Sequence, residues 1–388
     1  MSRLAYPDYN NSILNTITSI LKYYNVDTKH TSLNVLDNVL NNNYKNIVFI
    51  VLDGMGDIVL NNISKDGYFE KNKLTTVTSV YPSTTTAAMT TYYSGMPPYE
   101  SGWVAWSQYF KEYGRCLDML SKKESYERNY LPHTIKKDVF KDVVGYKTIF
   151  EKIEEANPDV DAIEIMPNYP ETRSKKSLRT TSLDEATDLI KMVLEGSKRK
   201  FVFAYFESPD ALLHKYGCTS DEAKEFVKNA EKNIEKLALE LEDTLIIVTA
   251  DHGHKDIKNV YTTIDDEELF DMYLMPPALE SRSIAYYIKE DKKEAFKERF
   301  NSLYKDEFML LSREEVLEMN LLGIGEKHKR LDEFIGDFLA VSISDSIIRL
   351  ETYLTDGKPL KKSTHCGLTE DEMLVPVIVI DKKWYSIV

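Results

Sequence analysis

Four stretches of the chain are almost wholly apolar and each runs into an aspartate: IVFIVLD at 47–53, FVFAYFESPD at 201–210, LIIVTAD at 245–251 and LVPVIVID at 374–381. Runs without polar alternation, bounded by turn residues, read as strands buried on both faces, the habit of a mostly parallel sheet covered by helices. Segments of helical period, notably Ser182–Gly196 and Ser220–Glu242, lie between them. This alternation predicts an α/β, doubly wound, mostly parallel sheet sandwiched by helices. Such sheets gather ligands at the carboxyl ends of their strands, where the aspartates stand.

Ahead of the first run, Ile13, Leu14, Ile17, Ile20, Leu21 and Tyr24 recur at helical spacing. Residues 1–45 are therefore expected to form a surface-lying helical segment packed on a main domain, 46–388. Two polar, Lys/Glu-rich stretches, about 103–180 and 267–351, are expected as insertions forming a cap or small α+β subdomain. DAIEIMP at 161–167, inside the first, looks like another core strand.

Charge changes the picture only for partners. With 49 Lys and Arg against 63 Asp and Glu, the net charge is −14, which disfavours nucleic-acid polymers and anionic membranes. Cys116, Cys218 and Cys366 form no C-x-x-C, so neither a disulfide framework nor a thiolate zinc site is indicated. No run approaches the length of a membrane span. A cytoplasmic protein without a membrane anchor is expected, and the sequence leaves its oligomeric state open.

Of seven histidines, four stand beside acidic or glycine residues. Asp210 and His214 in SPDALLH are four apart, hence on one helical face, with Ser208 as a candidate cap. Asp251 and His252 directly follow a strand, Asp53 ends another, and His365 in STHCGL precedes the last. Three carboxylates and three imidazoles, with His254 in reserve, suffice for two divalent ions. Mixed N/O ligation favours Zn²⁺ over Mn²⁺, Fe²⁺ or Mg²⁺. In YPSTTTAAMTTYYSG, a hydroxyl cluster opens a helix-forming stretch, so Ser83, Thr84, Thr85 or Thr86 could sit where the positive helix end activates a nucleophile. Trp103, Trp106 and Tyr109 are candidates for an aromatic wall.

These pieces resemble the alkaline phosphatase superfamily, most of all its type I phosphodiesterase and nucleotide pyrophosphatase branch. VLDGMGD, YPSTTTAAMTTYYSGMPPYESG, FESPDALLHKYG, TADHGH and STHCGLTEDEMLVP occur in that branch's order. The resemblance implies that Asp53, Thr85, Asp251 and His252 hold one ion and that Asp210, His214 and His365 hold another. It implies Thr85 as nucleophile, because the family's nucleophile stands ten residues before the glycine of its T-G-x-x-P element, here Gly95 of SGMPP. The implied activity is metal-dependent hydrolysis of a phosphodiester or nucleotide pyrophosphate bond through a phospho-threonine, acting on a small phosphoester or nucleotide. Alternatives are a phosphomonoesterase, phosphomutase or phosphonate hydrolase on the same metals, or a metal-binding pseudoenzyme. One departure stands out: the branch's phosphoryl-binding asparagine has no counterpart three residues after Thr85, where Ala88 stands. His254, Asp57 and Glu207 are read as neighbours of ligands rather than ligands.

Overall fold

The computed structural model describes residues 3–126, 138–169, 172–350 and 359–382, without the side chains of 138–140. All four apolar runs are strands of one seven-stranded sheet: Asn46–Leu52, Arg199–Phe206, Thr244–Thr249 and Leu374–Ile380. Lys73–Thr78, Val160–Met166 and Lys176–Arg179 complete it. Across the sheet the order is 73–78, 374–380, 244–249, 46–52, 199–206, 160–166, 176–179. Every pairing from 244–249 to 176–179 is parallel. The sheet buries Val48, Phe49, Ile50, Phe203 and Ile247 completely, as runs apolar on both faces require.

Strand direction decides which aspartates meet. Leu52 pairs with Phe206 and Val51 with Thr249, so three adjacent parallel strands release Asp53, Asp210 and Asp251 at one rim. Strand 374–380 is antiparallel to its neighbours. Its amino end therefore lies at that rim, bringing His365, while Asp381 emerges at the far edge, where it accepts the Tyr44 hydroxyl at 2.7 Å. The fourth aspartate is thus no part of the site.

Helix Ile13–Tyr23 departs from the surface-lying expectation: Ile13 to Leu21 are all buried, polar residues included. Asn15 satisfies itself on the Tyr9 and Thr31 carbonyls, and Thr18 on Leu14. Helices Leu183–Leu194 and Asp221–Glu240 begin at Ser182 and Ser220, whose hydroxyls accept the N–H groups of Glu185 and Ala223. Among the described residues no helix is long and apolar enough to cross a membrane.

The two polar stretches meet in a second, six-stranded sheet, ordered 308–312, 338–342, 283–286, 278–280, 107–110, 115–118. DAIEIM, by contrast, lies in the central sheet. Arg282, between two strands of the second sheet, binds Glu372 through Nε at 2.6 Å and Nη2 at 2.7 Å, both side chains fully buried. Glu372 also accepts the Gly367 N–H at 2.7 Å, so the pair ties the loop bearing His365 to the second sheet. Arg282→Met should cost about 3–5 kcal/mol in urea unfolding, because it strands a buried carboxylate. Arg282→Met/Glu372→Met should recover part of it; a single-variant loss below about 1 kcal/mol would show that the pair anchors nothing.

Candidate metal centre

Each element delivers its side chain for a local reason. Gly54, at φ +76°, turns the chain immediately after Asp53, and a Cβ there would stand 3.0 Å from Asp210 Cα. A Cβ on Gly56 would come within 2.4 Å of Gly253 Cα, so only glycines let the Asp53 and Asp251 loops approach this closely. Thr84 is the N-cap of helix Thr85–Ser94, Thr85 its first residue, and Gly95 ends it in the left-handed region at φ +68°. Helix Asp210–Tyr216 projects Asp210 and His214 from one face, although Pro209 rather than Ser208 occupies its cap position.

Two groups of atoms result. Thr85 Oγ1 lies 3.2 Å from His252 Nε2 and 3.4 Å from Asp53 Oδ2. His252 Nε2 lies 3.4 Å from Asp53 Oδ1 and 3.3 Å from Asp251 Oδ2. In the second group, His214 Nε2 and His365 Nε2 stand 3.4 Å and 3.7 Å from Asp210 Oδ1. Ligands about 2.0–2.1 Å from a tetrahedral ion are about 3.3 Å from each other, which is the separation in the first group; around Asp210 the atoms within mutual ligand reach are those of His252, His254 and His365, with His214 outside that set.

Hydrogen bonding supports the fit. Asp53 Oδ1 and Asp251 Oδ2, both facing His252, are buried without a hydrogen-bond partner among the described residues, an arrangement that costs free energy unless a cation meets them. Nδ1 of His252, His214 and His365 lies against the carbonyls of Gly253, Ser363 and Ser83 at 3.0, 2.8 and 3.1 Å. Donation there leaves each Nε2 lone pair directed at the carboxylates. The Lys361 ammonium, 3.0 Å from His214 Nε2, stands in for a cation on that nitrogen.

His254 differs. Its Nε2 is 2.6 Å from Asp210 Oδ1 and its Nδ1 3.0 Å from Ser363 Oγ. It falls within ligand reach of Asp210, His252 and His365, yet 2.6 Å is a hydrogen-bond length, too short for two ligands of one ion. His254 thus braces Asp210 against Ser363. Asp57 is engaged by Lys73 at 2.7 Å, away from the cluster.

Burial, reinforced by Asp251 and Asp210, raises the Asp53 carboxyl well above the ordinary range. Burial likewise drives His214 down to about 3 and lowers His254 and His365. Three depressed imidazoles outnumber the raised Asp53 carboxyl, and the raised carboxyls of Glu207 and Glu280 take up protons only at lower pH, so just below about pH 6.5 the unfolded chain binds more protons than the metal-free fold. Stability of the chelator-treated protein should therefore decline as pH falls from about 6.5 toward about 5; a melting temperature that rises over that interval would contradict this geometry.

A cavity of about 890 Å³ opens over the cluster, lined by Thr84, Thr85, Asp210, His214, His365, Trp106, Tyr126, Glu280 and Lys361. Of the proposed aromatic wall only Trp106 reaches it. Trp103 is buried with its Nε1–H on the Val144 carbonyl, and Tyr109 packs on Tyr287. Ala88 is fully buried in the core and does not line the cavity. Glu280, which no motif flagged, accepts the Thr84 hydroxyl at 2.6 Å.

The sequence profile of the type I phosphodiesterase/nucleotide pyrophosphatase family matches residues 48–361. Murine ectonucleotide pyrophosphatase/phosphodiesterase 5 superposes with a TM-score of 0.61 at 16% identity, over 85% of this chain and 87% of that one. Its human counterpart gives 0.63 at 14%, over 87% and 88%. Phosphonoacetate hydrolase from Sinorhizobium meliloti, in complex with phosphonoformate, gives 0.60 at 18%, over 86% and 89%. These likenesses establish an alkaline phosphatase-like fold. No curated protein sequence matches the chain.

Proposed function

Because the chain belongs to the type I phosphodiesterase and nucleotide pyrophosphatase family, whose members are metal-dependent phosphoester hydrolases, we propose that it cleaves a phosphodiester or nucleotide pyrophosphate bond with Thr85 as nucleophile. Asp53, Thr85, Asp251 and His252 would hold one divalent ion and Asp210, His214 and His365 a second. Nitrogen and oxygen donors without thiolate favour Zn²⁺, with Mn²⁺, Fe²⁺ or Mg²⁺ as alternatives. The observation that carries this reading is the placement of Thr85 Oγ1, 3.2 Å from His252 Nε2, at a helix start beside two orphaned carboxylate oxygens.

Two bound cations would lower the hydroxyl pKa of Thr85 and offset charge on the phosphoryl group. Thr85 Oγ1 attacks phosphorus in line as its proton is lost, the alcohol, phosphate or nucleotide leaves on the opposite side, and a phosphoryl-threonine ester remains that keeps the substrate's other alkyl or nucleoside group. The N–H groups of the first helical turn, including that of Thr86, lack intrahelical acceptors and point toward phosphoryl oxygens. Tyr205 holds Asp53 by donating its hydroxyl to Oδ2 at 2.5 Å, so the carboxylate stays aligned while Thr85 reacts. Water then hydrolyses the phospho-threonine and restores the hydroxyl. A cavity of about 890 Å³ suits a small phosphoester or nucleotide rather than a polymer. The inactive threonine-to-alanine variant of the murine protein, in complex with AMP, supports a threonine and a nucleotide-sized ligand. Three buried free thiols support a reducing compartment such as the cytoplasm.

Phosphonate hydrolysis is the second reading, favoured by the likeness to phosphonoacetate hydrolase. Bis-p-nitrophenyl phosphate, p-nitrophenyl phosphate, a dinucleotide pyrophosphate and phosphonoacetate, assayed side by side with added Zn²⁺ or Mn²⁺, decide between them. Turnover fastest on the diester or pyrophosphate supports the first reading, and turnover confined to phosphonoacetate replaces it.

A further inference from the structure

Asp53 and Asp251 each meet His252 with one oxygen, and in both residues the other oxygen is tied down. Asp251 Oδ1 accepts the N–H groups of Gly54 and His252, each at 3.0 Å. Asp53 Oδ2 accepts the Tyr205 hydroxyl at 2.5 Å, with both side chains buried. What remains open is Asp53 Oδ1 and Asp251 Oδ2, the two oxygens without a hydrogen bond among the described residues. They stand 3.4 Å and 3.3 Å from His252 Nε2, and Thr85 Oγ1 stands 3.2 Å from the same nitrogen. Two carboxylates that could offer four oxygens therefore offer two, which with the imidazole and the hydroxyl make four donors.

The two restraints differ in kind. Backbone N–H groups hold Asp251, whereas a single side-chain hydroxyl holds Asp53 Oδ2. Tyr205 pairs with Val51, and Asp53, two positions on, falls on the same side of the sheet, so strand pairing itself brings the hydroxyl to the carboxylate. Resting on the metal-dependent phosphoesterase reading above, we propose that Tyr205 is a positioning residue that confines Asp53 to ligation through Oδ1 alone and thereby makes the first site selective for Zn²⁺. Four nitrogen and oxygen donors at tetrahedral separation suit Zn²⁺, whereas Mn²⁺ and Mg²⁺ take more oxygen ligands. Freeing Oδ2 would let Asp53 supply a fifth donor, which narrows that difference.

Tyr205→Phe removes the hydroxyl and keeps the ring. Metal-free wild type and variant are titrated with Zn²⁺ and with Mn²⁺ against a competing chelator, and their Co²⁺-loaded forms are compared by visible absorption, strong for four-coordinate Co²⁺ and weak for higher coordination. The hydrogen bond of Tyr205 goes to Asp53, so a change on its removal reports on the first site. Expected are a fall of about 10-fold in the Zn²⁺-over-Mn²⁺ affinity ratio, the scale on which the partners of metal ligands act, and a loss of Co²⁺ absorption. A tyrosine that merely supported the fold would weaken both ions alike; an unchanged ratio with unchanged Co²⁺ bands overturns the proposal. Wild type decides by itself if the variant fails to fold: strong four-coordinate Co²⁺ absorption supports the proposal, and only weak, six-coordinate absorption overturns it. None of these readouts uses turnover, so a protein with the expected metal behaviour but inactive on every substrate removes the phosphoesterase reading and leaves the role of Tyr205 standing. A chain that takes up no divalent ion removes both.

Discussion

Thr85→Ala should lose at least about 10³-fold in kcat, the scale on which removing a nucleophile acts, while retaining most of its metal. The two consequences separate because Oγ1 is only one of the atoms at ligand separation in its group. His252 stands 3.4 Å from Asp53 and 3.3 Å from Asp251 independently of it. Thr85→Ser keeps the oxygen and should retain measurable turnover. Substitution of Thr84 acts differently, since its hydroxyl is turned toward Glu280. Steady-state kinetics and metal analysis on the same preparations check the expectation, and full activity in Thr85→Ala would remove Thr85 from the reaction.

Stripping the metals should have the second-largest effect, abolishing turnover and lowering stability together. Asp53, Asp210 and Asp251 converge on one rim, with Asp53 Oδ1 and Asp251 Oδ2 unpartnered, so cations relieve repulsion that the bare fold carries. A ligand at about 100 times its Kd adds about 2.7 kcal/mol per site, so chelation should move the urea midpoint clearly downward, and Zn²⁺ or Mn²⁺ should restore it. Activity and midpoint both indifferent to a strong chelator would show that the carboxylates hold no ion.

Most of this site was legible because parallel strands impose a simple rule: residues just past their carboxyl ends meet. Asp53, Asp210, Asp251 and His252 follow from three apolar runs by that rule alone. It misleads at Asp381, because the apolar pattern carries no strand direction and the last strand is antiparallel. The same reversal explains why His365 precedes its strand. Helix Ile13–Tyr23 looked superficial since its Asn, Thr and Ser positions resemble a wet face, yet internal hydrogen bonds bury them.

A small α+β subdomain was expected, but the joining of the two insertions in one sheet was not legible, as Ser107 pairs with Leu279 more than 160 residues away. No local spacing announces such a pairing. Glu280 and Arg282 were invisible for that reason: a lone acid and a lone base in a Lys/Glu-rich stretch look solvated, and only the tertiary fold buries Arg282 and brings Glu280 to Thr84. His254 was placed in reserve from its motif, and the 2.6 Å contact to Asp210 supplies the role that motif could not.

The most direct test of a threonine nucleophile at a metal centre is chemical trapping. The metal-loaded protein is mixed with the best phosphoester of the panel, quenched in acid within its first turnover and digested for mass spectrometry. The phosphoryl group that the substrate leaves behind, still bearing its alkyl or nucleoside group when the substrate is a diester or pyrophosphate, is predicted on the peptide containing Thr85 and absent from the Thr85→Ala protein and from the chelated wild type. Turnover without that adduct on the peptide, or with the adduct carried by another residue, would contradict it.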